Sequence, residues 1–231
     1  MKTRQGRVQT ESVLLSKNQH FFYHIFLKWV RHLFNADVLH VKFHEEKLDR
    51  PLVIIANHMS AWDPFLIFSI LRKNFVLKHI TWRLPSGVSQ FQFWHQRKFF
   101  KFIGVYSIKN KGDFSRSLKE TFNILDKGQN IIFFPEARKV MLNEKVEPKK
   151  GISHLIEHKS VYILPIFLEY KRRHKSKKGV KIGKARAVVG DLIKSEYFLQ
   201  KYDKKERHKA IMGYVYDLEQ HLVRRFGGNK N

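Results

Sequence analysis

Short apolar runs separated by polar turns recur along the chain and predict strands that alternate with helices. The predicted strands are Val38–Phe43, Leu52–Ala56, Phe75–Ile80, Val105–Ile108, Asn130–Phe134, Val161–Tyr170 and Ala185–Val189. Helical spacing of apolar residues is found at 65–71, 91–103, 114–125 and 151–158, and a long charged helix or helix pair is predicted at 195–226. We interpret Pro85, Ser86 and Gly87 as a break in the chain. The alternation predicts an α/β fold with a mixed, mostly parallel central sheet flanked by helices.

The 231 residues are enough for one domain with a sizeable core and a helical appendage. We divide the chain into three segments. Residues 1–37 form a basic N-terminus with an amphipathic, membrane-associating helix, and residues 38–195 form the α/β domain. Residues 196–231 form a C-terminal helical segment that packs on that domain.

Two aromatic stretches have the pattern of amphipathic helices. Phe21–Phe34 is too short and too charged to span a bilayer, and its basic residues share one face, as in a helix that lies at a membrane interface. The alternative is a helix that docks on the core. The stretch 91–103 carries Arg97, Lys98 and Lys101 between aromatic residues, and it is either a core helix or a second contact with lipid or an acyl chain.

The composition narrows the class of partner. Lys and Arg number 45 against 20 Asp and Glu, which gives a net charge of +25 and favours a polyanionic partner, either nucleic acid or an anionic membrane surface. Aromatic residues make up 14% of the chain and favour lipid, and no zinc spacing or RNA-recognition motif is present, so no nucleic acid is expected. The absence of cysteine excludes a disulfide framework, a thiol nucleophile and a Cys-ligated zinc.

The candidate chemistry is concentrated between Pro51 and Phe65, where an apolar strand ends at a polar cluster. A histidine followed five residues later by aspartate occurs three times in the chain, so the spacing alone carries no information. Only His58 and Asp63 stand at the junction of a buried strand and a helix. His58 can remove a proton from a hydroxyl while Asp63 orients its ring. Alternatively, Ser60 and Asp63 form a capping box, in which the carboxylate serves only the helix N-terminus.

These residues resemble a known family. Asn57-His-Met-Ser-Ala-Trp-Asp63 matches the Asn-His-x-Ser-x-x-Asp motif of the glycerophospholipid acyltransferases, which include the 1-acylglycerol-3-phosphate acyltransferases. Further blocks follow in the family's order. Gly104–Asn110 is similar to the second block, Phe134–Lys139 resembles the third (Phe-Pro-Glu-Gly-Thr-Arg), and Leu164–Ile166 is similar to the proline block.

The resemblance implies an O-acyltransferase that moves a fatty acyl group from acyl-CoA or acyl carrier protein to a hydroxyl of a lysophospholipid-like acceptor. It implies that His58 is the general base, that Asp63 orients it, and that no metal or cofactor other than the acyl donor is needed. It also implies that the second and third blocks bind the acceptor's phosphate. The implied substrate-binding residues are Asn57, Ser60, Lys109, Asn110, Lys111, Glu136, Arg138 and Lys139.

Two departures from the family pattern leave the acceptor open. Asn110 stands where the second block ends in arginine, and Ala137-Arg138-Lys139 replaces Gly-Thr-Arg. Because lysine offers phosphate a point charge where arginine offers two parallel hydrogen bonds, an aminolipid or other non-glycerophosphate acceptor is an alternative, as is a non-catalytic lipid-binding relative. The expected partners are an anionic membrane surface, the lysolipid and the acyl donor. The expected location is the cytoplasmic face of the inner membrane, with peripheral or monotopic attachment.

Overall fold

The computed structural model describes Lys17, Phe21 and residues 37–40, 48–71, 81–87, 94–108, 114–141, 144–170 and 184–226. Three predictions fall outside these residues. They are the interfacial helix apart from Phe21, the strand at 75–80, and the second-block residues Lys109, Asn110 and Lys111. Within the described part of the chain, no helix is long and apolar enough to cross a membrane.

The described elements alternate as the apolar pattern predicts. The strands are β1 (Asp37–His40), β2 (Leu52–Ala56), β3 (Trp82–Gly87), β4 (Val105–Ile108), β5 (Asn130–Phe133), β6 (Tyr162–Tyr170), β7 (Ala185–Val189) and β8 (Ile193–Lys194). The helices are α1 (Asp63–Leu71), α2 (Trp94–Phe102), α3 (Phe114–Asp126), α4 (Gly151–His158), α5 (Ser195–Lys201), α6 (Arg207–Asp217) and α7 (Glu219–Phe226).

All these strands belong to one sheet with the order β1-β7-β6-β2-β5-β3-β4, and β8 pairs with β6. The pairings are parallel, except that β6 is antiparallel to β7 and to β8. Parallel strands need crossover connections, and the helices between them cover the sheet. The mixed, mostly parallel sheet flanked by helices is therefore confirmed.

Strand β2 lies at the centre of the sheet and is fully buried on both faces. Leu52, Ile54 and Ala56 pack in one core cluster with the apolar residues of α1, whereas Val53 and Ile55 pack in a second cluster with α3, α4 and α6. A continuously apolar sequence is what a parallel strand covered on both faces requires. This burial fixes the point where the chain leaves the sheet, immediately before His58.

Two predictions at the level of elements were wrong. Residues 82–87, interpreted as containing a chain break, form β3. Its first half pairs with β5 and its second half with β4. At Pro85 the strand therefore has a paired neighbour on one side only, and a strand with one unpaired side can accommodate a proline. The C-terminal region forms three helices, not one or two. The chain leaves the helical path at 202–206, and at Leu218 the hydrogen bonding tightens to the carbonyl three residues earlier, that of Val215.

Candidate active site

The parallel pairing of β2 with β5 and β6 brings three strand ends together. Ile55 is paired with Phe133 of β5, so the segments that follow these two strands, with His58 and Glu136, adjoin each other. β6 is paired with β2 as far as Ala56 and Ile166, and it continues beyond β2 to Tyr170. The carboxyl edge of a parallel sheet is where ligand sites form in α/β proteins.

His58 and Asp63 form a hydrogen-bonded pair at this edge. The Nδ1 atom of His58 lies 2.8 Å from Oδ2 of Asp63. Because a carboxylate only accepts, this contact favours the neutral tautomer that has its proton on Nδ1 and its lone pair on Nε2. The imidazole stacks on the ring of Phe134 with 4.4 Å between centroids and is 21% exposed. No described residue hydrogen bonds with Nε2, so this atom is available to a substrate hydroxyl.

Asp63 is completely buried, and both of its oxygens are hydrogen bonded. Oδ2 accepts the backbone N–H groups of Met59 (2.6 Å) and Ser60 (2.8 Å) in addition to the His58 ring. The contact with Ser60 N–H is one half of a capping box, whereas the Ser60 hydroxyl accepts from the backbone of Trp62. The two interpretations of Asp63 are therefore compatible, since one carboxylate caps the turn before α1 and also holds the imidazole.

Tyr170 at the end of β6 supplies the remaining partner of Asp63. Its hydroxyl donates to Oδ1 at 2.6 Å. Burial, together with the neighbouring Asp63 carboxylate, raises the pKa of Tyr170, so the phenol stays protonated and remains a donor. The four donors around Asp63 replace the water that an ionised carboxylate loses on burial.

Asn57 is buried between β2 and β6. Its amide nitrogen donates to the carbonyl of Leu168 at 2.9 Å, and its amide oxygen accepts the N–H of the same residue at 2.7 Å. The side chain thus continues the hydrogen bonding of β6 after β2 has ended. The structure gives Asn57 a role in fixing the turn, and the predicted contact with substrate stays a prediction.

Glu136 is also buried, at 1% exposure, and it contacts the backbone of His58, whereas Asp63 contacts the ring. Its Oε2 accepts the backbone N–H of His58 at 2.6 Å, and its Oε1 accepts the hydroxyl of Tyr216 on α6 at 2.7 Å. Burial raises the pKa of Glu136, and these two hydrogen bonds oppose that shift. In this arrangement the carboxylate supports the backbone of the base, and its predicted phosphate contact stays a prediction.

The basic residues of the third block lie at the surface. Arg138 forms an ion pair with Glu144, whose other oxygen accepts the backbone N–H of Met141 at 2.8 Å. Lys139 is exposed, and its ammonium group has no ion-pair partner among the described residues. Ala137, which takes the place of the family's glycine, has a positive φ of 55°.

Sequence reasoning did not identify Phe134, Tyr170 and Tyr216 as parts of this site. Phe134 immediately precedes the third block's Pro-Glu pair, which was a usable signal for a ring beside the histidine. Tyr170 shares a face of β6 with Ile166 and Leu168 by alternation, but its partner is 107 positions away in the sequence. Tyr216 has no local signal at all, because its carboxylate partner is 80 positions away. Within the described chain, no three His, Asp or Glu side chains form a group that could hold a metal ion.

Comparison with known proteins gives three results. A family model described as Acyltransferase matches residues 40–169, more than half of the chain. The protein named Taffazin from Dictyostelium discoideum is 28% identical over 114 residues, which are 48% of this chain and 40% of that relative. A structure of the 1-acyl-sn-glycerophosphate (LPA) acyltransferase PlsC from Thermotoga maritima matches with a TM-score of 0.59 at 16% identity, covering 96% of this chain and 83% of that one. At this identity, the structural match shows a shared fold.

Proposed function

Because this chain belongs to the Acyltransferase family, we propose that it transfers a fatty acyl group from a thioester donor to a hydroxyl of a lysophospholipid-like acceptor. The observation that carries this proposal is the His58–Asp63 pair, with Nδ1 bound at 2.8 Å and Nε2 directed away from it at the carboxyl edge of the sheet. Acyl-CoA and acyl carrier protein are the two candidate donors.

The proposed mechanism needs one base and one orienting carboxylate. His58 Nε2 removes the proton of the acceptor hydroxyl as its oxygen attacks the thioester carbonyl. The C–O bond forms, the C–S bond breaks, and the departing thiolate takes the proton back from the imidazolium. The Asp63 carboxylate stabilises the imidazolium through a charge-assisted hydrogen bond, and three further hydrogen bonds hold the carboxylate in place.

We assign the acceptor's anionic group to Lys139 in preference to Arg138. Glu144 already pairs with Arg138, so phosphate would have to displace a carboxylate there, whereas the ammonium of Lys139 faces no such competition within the described residues. Lys109 and Lys111 are further candidates from the second block. An ammonium gives a point charge without the fixed fork of a guanidinium, which suits acceptors beyond lysophosphatidic acid, including an aminolipid.

The decisive test is single-point substitution of the base. We expect His58→Ala to lower the rate of thiol release from acyl-CoA in the presence of a lysolipid by at least about 100-fold, the size of a general-base contribution. The acceptor panel contains lysophosphatidic acid, other lysophospholipids and an aminolipid, and each is also assayed with acyl carrier protein as donor. Thermal unfolding checks that the variant remains folded.

The matched control is His158→Ala. His158 is a second histidine paired with an aspartate, Asp126 at 3.1 Å, and stacked on a phenylalanine, but it lies on the surface at the end of α4. Its substitution should leave turnover unchanged. Equal turnover in His58→Ala and the wild type would refute the mechanism, and vesicle binding without turnover on any donor or acceptor would favour the non-catalytic alternative.

We further propose that the protein works at an anionic membrane surface, on the cytoplasmic face of the inner membrane. Helix α2 exposes Phe99 (45%) and Phe102 (36%), and Arg97, Lys98 and Lys101 are exposed on the same helix. Aromatic rings next to cations are typical of helices that lie in the headgroup region, and the net charge of +25 is complementary to acidic lipid.

Vesicle binding tests this membrane contact. We expect sedimentation with vesicles of phosphatidylglycerol and phosphatidylcholine to exceed that with phosphatidylcholine alone and to fall as salt is raised, because the attraction is screened within about 10 Å at 0.1 M salt. The double variant Phe99→Ser, Phe102→Ser should bind at least about tenfold more weakly, because two large apolar side chains no longer enter the interface. Val223→Ser on α7, a more exposed apolar position at 52%, is the control and should bind normally. Equal binding by all three proteins would exclude α2 from the contact.

A further inference from the structure

Helix α6 is connected to the candidate base by two hydrogen bonds in series. The hydroxyl of Tyr216 donates to Oε1 of Glu136 at 2.7 Å, and Oε2 of the same carboxylate accepts the backbone N–H of His58 at 2.6 Å. Glu136 is 1% exposed, so water cannot readily replace either partner. None of the sequence motifs includes Tyr216.

The loop that carries Glu136 holds the histidine at more than one point. The carbonyl of His58 accepts the backbone N–H of Val140 at 2.7 Å, and the imidazole stacks on Phe134. Asp63 therefore fixes the Nδ1 side of the ring, while the loop from 134 to 140 fixes the backbone and one ring face. Movement of Glu136 would shift the backbone nitrogen of His58 and, with it, the direction of Nε2.

We propose that Tyr216 is a positioning residue for His58 that acts through Glu136. The expected effect on turnover rests on the proposed function, whereas the expected shift of the His58 backbone does not. Without the hydroxyl, the buried Oε1 atom of Glu136 loses its hydrogen-bond donor, and the side chain must rotate to reach another donor. This rotation withdraws Oε2 from the N–H of His58. The C-terminal helices thus set the geometry of the base as well as covering the sheet.

The chain offers a matched control on the same helix. Tyr214 lies two residues earlier on α6, and its hydroxyl forms a hydrogen bond of 2.6 Å with that of Tyr197, outside the candidate site. Tyr216→Phe and Tyr214→Phe each delete one hydroxyl from α6 and the short hydrogen bond that it makes with another side chain. Tyr216→Phe also removes a long contact of 3.4 Å, in which the hydroxyl accepts the backbone N–H of Val146. A purely structural role for these tyrosines predicts the same result for both variants, whereas the positioning role does not.

The kinetic test compares these variants. Tyr216→Phe should lower kcat about tenfold or more, since small displacements of a base are costly, with KM for the acceptor changed by less than about twofold. Tyr214→Phe should leave both constants unchanged. Glu136→Gln combined with Tyr216→Phe should lower kcat by less than the product of the two single effects, because both variants break the same connection. Equal kcat values for the two tyrosine variants would overturn the proposal.

A spectroscopic test works even if no turnover is found with any substrate. In protein labelled with ¹⁵N-histidine, at most 13 backbone amide signals appear, and the signal of His58 is the one lost in His58→Ala. A short bond to a carboxylate moves an amide proton downfield, so Tyr216→Phe should move this signal upfield and Tyr214→Phe should not. An unmoved signal refutes the connection. A moved signal with an unchanged kcat refutes its role in positioning the base.

Discussion

At the scale of single residues, two buried carboxylates organise the candidate site, Asp63 through the ring of His58 and Glu136 through its backbone. Asp63 accepts four hydrogen bonds and Glu136 accepts two, so each charge is matched by donors of the protein. Removal of one donor from such a buried group costs more than an ordinary hydrogen bond contributes. We infer that the rigidity of the base comes from complete pairing of these two groups.

Ala137 is the residue where departure from the family pattern has a visible conformational cost. Its φ of 55° lies in the left-handed region, which costs a residue with a Cβ about 1–2 kcal/mol. Glycine avoids that cost but loses about 0.5–1 kcal/mol of chain entropy. We therefore expect Ala137→Gly to raise the free energy of unfolding by up to about 1.5 kcal/mol, the largest difference between these two effects.

Thermal unfolding measures this gain as a rise of about 2–4 °C for each kcal/mol in a chain of this size. Ala210→Gly in helix α6 is the control, and there the same change should destabilise the protein by about 1 kcal/mol. A loss of stability in both variants would show that the positive φ of Ala137 carries no strain.

The sequence was sufficient to predict that His58 and Asp63 pair with each other, because strand, turn and helix meet there within a few positions. The local bond between Ser60 and Asp63 follows from the spacing of a capping box. Asn57 and Glu136 were also predicted to be site residues, but their hydrogen bonds could not be predicted. Those bonds depend on which strands are neighbours, and strand order is not encoded in any local pattern. The tyrosines at 170 and 216 depend on the same information, since each reaches a carboxylate from a distant part of the chain.

At the scale of elements, the junction of β6, β7 and the C-terminal helices packs with little free space. A Cβ atom added at Gly190 would lie 2.9 Å from Cγ of Pro165 and within 3.2 Å of the side chain of Leu218. The proline ring cannot rotate away, because its strand is paired on both sides. The close approach of three elements therefore requires glycine at this position.

We expect Gly190→Ala to lower the free energy of unfolding by about 1–3 kcal/mol, the usual cost of overpacking. The control is Gly213→Ala in the interior of α6, where an added Cβ meets no atom within 4 Å. That change should stabilise the protein by about 1 kcal/mol, since alanine is the better helix former. Chemical denaturation of both variants measures the difference. If both variants were more stable than the wild type, the backbone at Gly190 would have to move away from Pro165 and Leu218 at little cost in free energy.

Element type was predictable where periodicity is strong, and it failed where pairing overrides local preference. The apolar runs predicted the bounds of β2 and β5 to within one residue. β3 was missed because Pro85 and Gly87 are poor strand formers, and only its neighbours on the two sides explain why the segment is extended. The division of 195–226 into three helices was missed because the turns at 202–206 and Leu218 carry no glycine or proline.

At the scale of the whole molecule, buried titratable groups make stability depend on pH in two opposite directions. The folded-state pKa of Glu136 is raised by burial, so its contribution is most favourable below the unfolded value of 4.5 and is lost as pH rises through the folded value. His208 on α6 has the opposite sign. Burial lowers its pKa in the folded state, so its contribution is complete above the unfolded value of 6.5 and is lost as pH falls towards the folded value.

His208 should dominate the acid side of the stability profile near neutral pH. It is 3% exposed, and its Nδ1 atom is buried without a hydrogen-bond partner in the described structure. Burial is the largest cause of the lowered pKa of His208. Among charged neighbours, Lys209 and Lys150 lower this pKa further, whereas Glu147 and Glu206 raise it. A proton is therefore taken up more readily by the unfolded chain, and the free energy of unfolding should fall as the pH drops below 6.5.

Denaturant unfolding of the full chain at a series of pH values from about 7.5 to 5 tests this linkage. His208→Phe removes the titrating group and keeps a buried ring, so the slope of unfolding free energy against pH should become shallower than in the wild type. Met212→Leu, at a buried position on the same helix, changes packing without changing a proton and should shift the whole curve while leaving its slope intact. If His208→Phe shifted the curve in the same parallel way, the loss of stability in acid would have to come from another group.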